Sequence, residues 1–142
     1  MKKTLRNMML VIILLVFTFT LVSCGTGIKA ADAKDLINEF FTAIVDEDYS
    51  KAETLLHPER PAELESFFLS IEEEKGVDFQ EGIEIEKYTG FSSSFYDSTV
   101  NGSTYELTMQ TKVGEKTIVF TIEIVKNEAG YGIYNLDLRL KN

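Results

Sequence analysis

The 142-residue chain contains one cysteine, one histidine, two prolines and no tryptophan. A single cysteine cannot form an internal disulfide, and one cysteine with one histidine is too few for the sets that hold structural zinc. Acidic residues also outnumber basic residues, with 23 Asp and Glu and only 14 Lys and Arg. Nucleic acids and anionic membranes are bound through clustered cations. The composition therefore argues against DNA, RNA and polybasic membrane binding.

The few basic residues are unevenly distributed. Lys2, Lys3 and Arg6 lie in the first 23 residues, which contain no acid, so the remaining 119 residues carry a formal charge of −12. A chain of this length is expected to fold as one domain with its own core, since about 100–150 residues is the commonest domain size.

An apolar run follows the basic N-terminus. It extends from Met8 to Val22 and is interrupted only by Thr18 and Thr20. As a helix it would span roughly 22 Å, whereas the hydrocarbon core of a bilayer is about 30 Å thick. The pattern therefore predicts an export signal over residues 1–23 rather than a permanent transmembrane helix.

The apolar run ends in Leu21-Val22-Ser23-Cys24, followed by Gly25. This stretch resembles the lipobox of bacterial lipoprotein precursors at all four positions. The resemblance implies that a diacylglyceryl group is attached to the Cys24 thiol and that the chain is cut just before it. Ordinary cleavage after Ala31-Asp32-Ala33 is less favoured, because that site lies far from the apolar run.

We therefore expect residues 24–31 to tether an extracytoplasmic domain to a bacterial membrane through the lipid on Cys24. The residues leave open whether that is an inner or an outer membrane.

Apolar residues recur at spacings of three and four after Asp32, which is typical of one face of an α-helix. A first helix is predicted over Ala33–Asp46. Its buried face holds Leu36, Phe40 and Ile44. Asp32 stands immediately before it and is expected to be the N-cap. This helix opens the single domain that we assign to residues 32–142.

Two further helices are predicted. One extends over Tyr49–Leu56 and is stopped by Pro58, because the residue before a proline avoids the α-helical region. Pro61 suits the first turn of the other, and Gly76 is expected to end it. The apolar face of this third helix comprises Leu64, Phe67, Phe68 and Ile71.

From residue 83 the apolar period changes from near 3.6 to 2, which indicates strands. The predicted strands are Ile83–Tyr96, bent near Gly90, then Ser103–Val113, Lys116–Lys126 and Tyr131–Leu140. The turns between them are assigned to Asn101-Gly102, Gly114-Glu115 and Asn127–Gly130. Such short connections require antiparallel pairing. The sequence predicts an α+β fold with three helices packed on a curved four-stranded antiparallel sheet.

The segment Phe40–Ala52, which reads FFTAIVDEDYSKA, resembles the opening of the NTF2-like superfamily. The resemblance implies a cone-shaped sheet behind a first helix, an acidic turn and a short second helix. Asp46-Glu47 departs from the Gly-Asp that many members carry at the turn. A cystatin-like arrangement of a helix wrapped by a four-stranded sheet is the alternative.

The sequence contains no G-x-S-x-G, H-E-x-x-H or C-x-x-C motif and no glycine-rich phosphate loop. His57 is the only side chain that ordinarily titrates near neutral pH. Its position before Pro58 favours contact with the last helical carbonyls over catalysis. We predict no catalytic residue.

Asp46, Asp48 and Ser50 alternate as do the first ligands of an EF-hand. However, Lys51 stands where that loop needs glycine, and His57 stands where it needs a bidentate glutamate. A solvated turn with helix-capping acids is favoured. We therefore predict no metal ligand and no cofactor.

Aromatic residues are spread over the third helix and every predicted strand. They are Phe67, Phe68, Phe79, Phe91, Phe95, Tyr96, Tyr105, Phe120, Tyr131 and Tyr134. Most are expected in the core, and a surplus would line a pocket between helices and sheet.

These observations favour a non-enzymatic, lipid-anchored domain that binds a small ligand or a partner protein at the cell envelope. Two alternatives stay open. One is an NTF2-like enzyme of isomerase or dehydratase type that acts on an apolar small molecule, with Asp97 or Asp137 as base. Asp97 lies in a turn-like stretch, and Asp137 should point away from the apolar face. The other is a protein-binding inhibitor or assembly factor. A homodimer is also left open, and no nucleic-acid partner is expected.

Overall fold

A computed structural model describes residues 27–141, so the predicted export signal, the lipobox and Cys24 lie outside the described residues. The helices are α1 (Ala30–Val45), α2 (Tyr49–Thr54) and α3 (Leu64–Lys75), followed by a 3-10 turn at Phe79–Glu81. The strands are β1 (Glu84–Asp97), β2 (Gly102–Val113), β3 (Lys116–Asn127) and β4 (Gly130–Leu140). The predicted α+β class is confirmed. Within residues 27–141, none of the helices combines the length and apolarity that crossing a bilayer requires.

Helix α1 begins earlier than its apolar pattern predicts. Lys29 is at the N-cap position and no side chain caps the helix there, so the prediction of Asp32 as the N-cap is wrong. Asp32 lies within the first turn, where its carboxylate interacts favourably with the positive end of the helix dipole. The helix also takes up Ala30 and Ala31, which the sequence pattern had assigned to the tether.

The turn between α1 and α2 is built from acidic residues. Glu47 has a φ of 54°, a left-handed conformation that glycine adopts more readily. Asp48 caps α2, because its Oδ1 accepts a hydrogen bond from the Lys51 backbone N–H at 3.1 Å. The prediction of helix-capping acids at this turn is confirmed for Asp48.

Helix α2 ends at Thr54, two residues before its predicted end, because the chain then pairs with the sheet. The Ile133 N–H donates to the Leu55 carbonyl at 2.9 Å, and the His57 N–H donates to the Ile133 carbonyl at 2.8 Å. Leu56 thereby forms a parallel bridge with Ile133 on the edge of β4.

Helix α3 begins at Leu64, so the prediction of Pro61 in its first turn is wrong. The Leu64 N–H donates to Glu53 Oε1 at 3.0 Å, and this contact with α2 satisfies a backbone donor at the helix start. Gly76 ends the helix in a left-handed conformation, as predicted.

The four strands form one antiparallel sheet in the order β1-β2-β3-β4, as predicted. Gly114-Glu115 is the two-residue connection between β2 and β3. The first hairpin differs from the prediction. Its turn spans residues 98–101, and Gly102 already belongs to β2.

The core lies between the helices and one face of the sheet. Tyr105, Leu107 and Met109 are buried on β2, which confirms the predicted alternation. On the helical side Phe40 is fully buried, 6.2 Å from the Phe68 ring, and Phe41 lies 4.9 Å from the ring of Phe120 on β3. Helix α1 therefore packs on the sheet, and α3 packs against α1 through Phe40 and Phe68 of the predicted stripes, although Phe67 is 39% exposed.

Bulges curve the sheet at its two edges. The register of β1 against β2 shifts between Ile85 and Lys87, between Tyr88 and Gly90, and between Ser94 and Asp97. An extra residue in one strand increases the local twist and bend. The predicted bend near Gly90 is confirmed.

Candidate functional site

The bulge in β4 forms one wall of a surface cleft. Ile133 lies opposite Ile124 and Asn135 opposite Glu123, so Tyr134 is the extra residue. The Tyr134 ring lies edge-on to His57, with 5.4 Å between centroids. On its other side the guanidinium carbon of Arg60 lies 4.5 Å from the Tyr134 centroid. The bulged tyrosine thus contacts two residues of the α2–α3 connection, His57 and Arg60.

The cleft between that connection and β4 has a volume of about 250 Å³. Leu56, Leu64, Phe67 and Leu136 supply apolar surface, while Arg60 and Tyr134 supply the ionisable groups. The partial exposure of Phe67 therefore coincides with its position in the cleft. This is a small apolar site with one fixed positive charge at its rim.

Arg60 is held by its backbone and by Tyr134. The backbone N–H of Arg60 donates a hydrogen bond to the His57 backbone carbonyl at 2.8 Å. Among the ion pairs of residues 27–141, none involves Arg60. A guanidinium stacked on an aromatic face keeps planar N–H donors that suit a carboxylate or phosphate. The arrangement can therefore bind an anion beside apolar surface.

His57 is connected to the cleft through its ring contact with Tyr134. It is fully buried, its Nδ1 accepts the Glu59 backbone N–H at 3.2 Å, and its Nε2 faces Asn127 Oδ1 at 3.1 Å and the Gly130 carbonyl at 3.3 Å. Nδ1 accepts a hydrogen bond and Nε2 faces two acceptors, so these contacts fit the tautomer that carries a proton on Nε2. The expected contact with the last helical carbonyls is wrong, because α2 has ended three residues earlier and the ring nitrogens instead contact Glu59, Asn127 and Gly130.

Asn127 connects three segments at this point. Its Oδ1 also accepts the Ala129 N–H at 2.9 Å, and its Nδ2 donates to the Val100 carbonyl and to Glu59 Oε2, each at 2.9 Å. The buried imidazole and this amide satisfy each other's hydrogen-bonding groups and those of the surrounding backbone. They hold the α2–α3 connection, and with it Arg60, in a defined position.

The candidate acids lie away from the cleft. Asp97 ends β1, and its Oδ1 accepts hydrogen bonds from the Thr99 hydroxyl at 2.6 Å and the Thr99 N–H at 2.8 Å. These hydrogen bonds, the hydroxyl first, hold the pKa of the Asp97 carboxyl below its usual range. Asp137 is exposed opposite Thr121, as predicted. Neither acid lines the cleft or bonds to His57.

The acidic turn at Asp46–Asp48 carries the carboxylates that alternate as in an EF-hand. The Asp48 carboxylate is engaged in capping α2. In the part of the chain that the structure describes, no three His, Cys, Asp or Glu side chains are arranged to hold a metal ion.

The aromatic residues divide differently from the sequence expectation. Phe68, Phe79, Tyr105 and Phe120 are buried as expected. Phe67, Phe91, Phe95, Tyr96 and Tyr131 are exposed, and Tyr134 is half-buried. The prediction that most of the set lies in the core is therefore wrong. Three of the exposed rings, Phe91, Phe95 and Tyr96, belong to the edge strand β1.

The sequence did not single out Arg60, and it indicated Tyr134 only as one of ten aromatic residues of which a surplus would line a pocket. An arginine in a polar connection and a tyrosine in an alternating strand carry no local signal of a shared site. The bulge that brings them together depends on pairing between β3 and β4.

No family model, no curated protein and no solved structure matches this chain.

Proposed function

We propose that the protein is a non-enzymatic, lipid-anchored binding domain at the bacterial cell envelope. Its ligand is a small organic anion with an apolar body, held in the cleft beside Arg60. The observation that carries this proposal is the Arg60 guanidinium stacked on Tyr134 at the rim of an apolar cleft.

The chemistry of the cleft supports this ligand class. The apolar part would pack on Leu56, Leu64 and Phe67, and the anionic group would accept hydrogen bonds from Arg60. Ligand pockets usually enclose about 300–1,000 Å³, so a cleft of about 250 Å³ suits a ligand smaller than most cofactors. Because the mature chain is strongly acidic, the local cation is needed to offset the repulsion of an anion.

Binding without catalysis is supported by the titratable groups of the cleft. Arg60 and Tyr134 are the only ionisable side chains among its described lining residues. General acid–base chemistry near neutral pH needs a group tuned to that range. An enzyme of isomerase or dehydratase type would require a base from elsewhere.

The proposed location at the cell envelope rests on the export signal and the lipobox. Leu21-Val22-Ser23-Cys24 after a complete export-signal pattern supports lipidation at Cys24 and an extracytoplasmic location.

We also propose that the domain has an NTF2-like fold. Three helices before a four-stranded antiparallel meander support this, as does the left-handed Glu47 followed by the capping Asp48. The 3-10 turn at Phe79–Glu81 and the pairing of Leu56 with Ile133 are features of this chain that the resemblance did not predict.

The ligand proposal is tested with simple carboxylates. Hexanoate and benzoate would be titrated into the full lipidated chain in detergent, and binding followed by NMR shifts of the Tyr134 and Leu136 amides. Hexanol and benzyl alcohol serve as uncharged matched probes. We expect the carboxylates to shift these amides and the alcohols to do so more weakly.

Arg60→Gln should reduce carboxylate affinity by about tenfold or more, because it removes a charge-assisted hydrogen-bond donor. Arg139→Gln is the matched control, since Arg139 is an exposed arginine of β4 outside the cleft. Equal affinities for wild type and Arg60→Gln, or no shift with either carboxylate, would contradict the proposal.

A further inference from the structure

Tyr88, Phe91 and Phe95 form an exposed aromatic surface on β1, which we call the β1 aromatic surface. Their exposed fractions are 42%, 64% and 73%. Tyr88 lies opposite buried Met109, and Phe91 lies opposite buried Leu107, so both are on the helix-bearing face of the sheet. The apolar face that forms the core therefore continues onto the edge strand, beyond the cover of the helices.

These rings are fixed parts of the fold rather than loop residues. The Phe91 ring lies 5.1 Å from the ring of Tyr105, and the Ser103 hydroxyl donates to the Phe95 carbonyl at 2.8 Å. Lys34 Nζ lies 4.6 Å from the Tyr88 centroid. Exposed aromatic side chains held on one strand of a folded domain mark a candidate contact with another molecule.

The N-terminal end of the described chain lies against this surface. A Cβ added at Gly27 would be 3.3 Å from the Phe95 ring, so the backbone there is in contact with the aromatic side chain. Cys24 is three residues before Gly27, and three residues span at most about 11 Å. A lipid on Cys24 would therefore enter a bilayer within a short distance of Phe95.

We propose that the β1 aromatic surface contacts the lipid bilayer that holds the anchor, so that the domain lies on the membrane by its β1 edge. This inference rests on the proposed lipidation at Cys24. Phenyl rings are favoured at the apolar side of the membrane interface, and a tyrosine keeps its hydroxyl in the headgroup region. Lys34 lies over Tyr88, and Lys29 lines the same small cleft as Phe95, so both ammonium groups are placed to suit lipid phosphates.

The charge of the chain defines the kind of contact. With a formal charge of −12 after residue 23, the domain is not drawn to the membrane by general electrostatic attraction. The contact is apolar and local, and the anchor keeps the surface near the bilayer. It should therefore persist at high salt and on zwitterionic lipid.

The absence of tryptophan makes a direct test available. Phe95→Trp introduces a single indole on the β1 aromatic surface. Leu69→Trp is the matched control, because Leu69 is 45% exposed on α3 and lies outside the β1 aromatic surface. Each lipidated chain would be reconstituted in phosphatidylcholine vesicles with ordinary or brominated acyl chains, after mass spectrometry has verified the lipid.

We expect brominated lipid to quench the fluorescence of Phe95→Trp and vesicles to shift its emission to the blue, also in 1 M salt. Leu69→Trp should show neither change. In a Phe91→Ala background the quenching of Phe95→Trp should decrease, because part of the apolar contact is lost. Absence of quenching in Phe95→Trp, or equal quenching in both variants, would overturn the proposal.

A second experiment tests this inference independently of the proposed lipidation. All core residues lie between Ala33 and Ile133, so a chain that begins at Cys24 retains the whole core. Its single cysteine can be coupled to a maleimide lipid in the same vesicles. If the natural chain proves not to be lipidated, the lipidation proposal fails, and selective quenching in the coupled chain still supports the surface assignment. Shielding of Phe95→Trp in solution that grows with protein concentration, without quenching by lipid, would instead assign the surface to a second copy.

Discussion

His57 Nε2 lies 3.1 Å from Asn127 Oδ1, although the two residues are seventy positions apart in the chain. This contact joins the connection after α2 to the turn between β3 and β4. Together with the backbone pairing of His57 and Ile133, it fixes one side of the cleft to the edge of the sheet. The single histidine of the chain therefore has a structural role beside the candidate ligand site.

His57→Ala should lower the free energy of unfolding by about 3 kcal/mol, because it opens a cavity and leaves buried partners unsatisfied. Urea unfolding followed by circular dichroism measures this change. Asp137→Asn, at an exposed position, should alter stability by less than about 0.5 kcal/mol. A double-mutant cycle with Asn127→Ala should give a coupling above about 0.5 kcal/mol. Additive effects would mean that the two side chains act independently.

Gly132→Ala should destabilise the protein by about 1–3 kcal/mol. A Cβ at this position would lie 2.6 Å from the His57 backbone nitrogen and 2.7 Å from the Leu56 carbonyl carbon, so the bridge to β4 must separate. Hydrogen exchange of the Ile133 amide should accelerate in this variant. Gly90→Ala is the control, because its nearest atoms, Thr108 Cβ and Oγ1, lie at 3.1 and 3.2 Å and need to shift much less than the backbone atoms at Gly132. Equal effects at both glycines would argue against a close approach at Gly132.

Phe40→Ala should cost about 3–5 kcal/mol, the usual loss when a buried aromatic side chain is truncated. Phe40 is fully buried against Phe68, which places α1 on the core. Phe67→Ala, at a partly exposed aromatic of α3, should cost less. Denaturant unfolding compares the two variants. A loss below about 1 kcal/mol for Phe40→Ala would contradict the packing of α1.

The Asp97 carboxyl should titrate below the usual aspartate range, and Thr99→Ala should raise its pKa towards that range by removing the larger of the two hydrogen-bond effects. Because the folded pKa is lowered, the hydrogen bonds stabilise the fold above the unfolded-state pKa. That contribution is lost as pH falls through the folded pKa. An NMR titration of the side-chain carboxyl carbon measures both variants. An unchanged midpoint in Thr99→Ala would exclude this cause.

Cys24→Ala should prevent lipid attachment and leave the signal uncleaved or the protein released, because the modified thiol is the proposed anchor. Mass spectrometry and membrane fractionation measure the outcome. Ser103→Ala, a substitution within the folded domain, serves as a control that leaves the lipobox intact. Membrane association of Cys24→Ala with the mass of the mature wild-type protein, and no lipid on either, would contradict the assignment.

Much of the architecture could be predicted from sequence because its causes are local. The alternation of buried Tyr105, Leu107 and Met109 follows from the period of a strand. Gly76 ends α3 because glycine adopts the left-handed conformation at little cost. The two-residue turn at Gly114-Glu115 then determines that β2 and β3 pair antiparallel. Period, cap and turn act within a few residues, so they can be recognised without knowledge of distant partners.

The candidate site required the tertiary structure. His57 was recognised as a candidate, but its partners belong to a turn seventy residues away. Arg60 and Tyr134 meet only because β4 carries a bulge against β3.

Exposure was likewise decided by packing rather than by residue type. Phe68 and Phe95 are equally apolar, yet Phe68 is covered by Phe40 and Phe79 whereas Phe95 lies on an edge strand beyond the helices. The sequence by itself determined the order of elements, the faces of the strands and several turns. The tertiary structure decided which of those apolar faces are covered, because burial depends on segments that are distant in the chain.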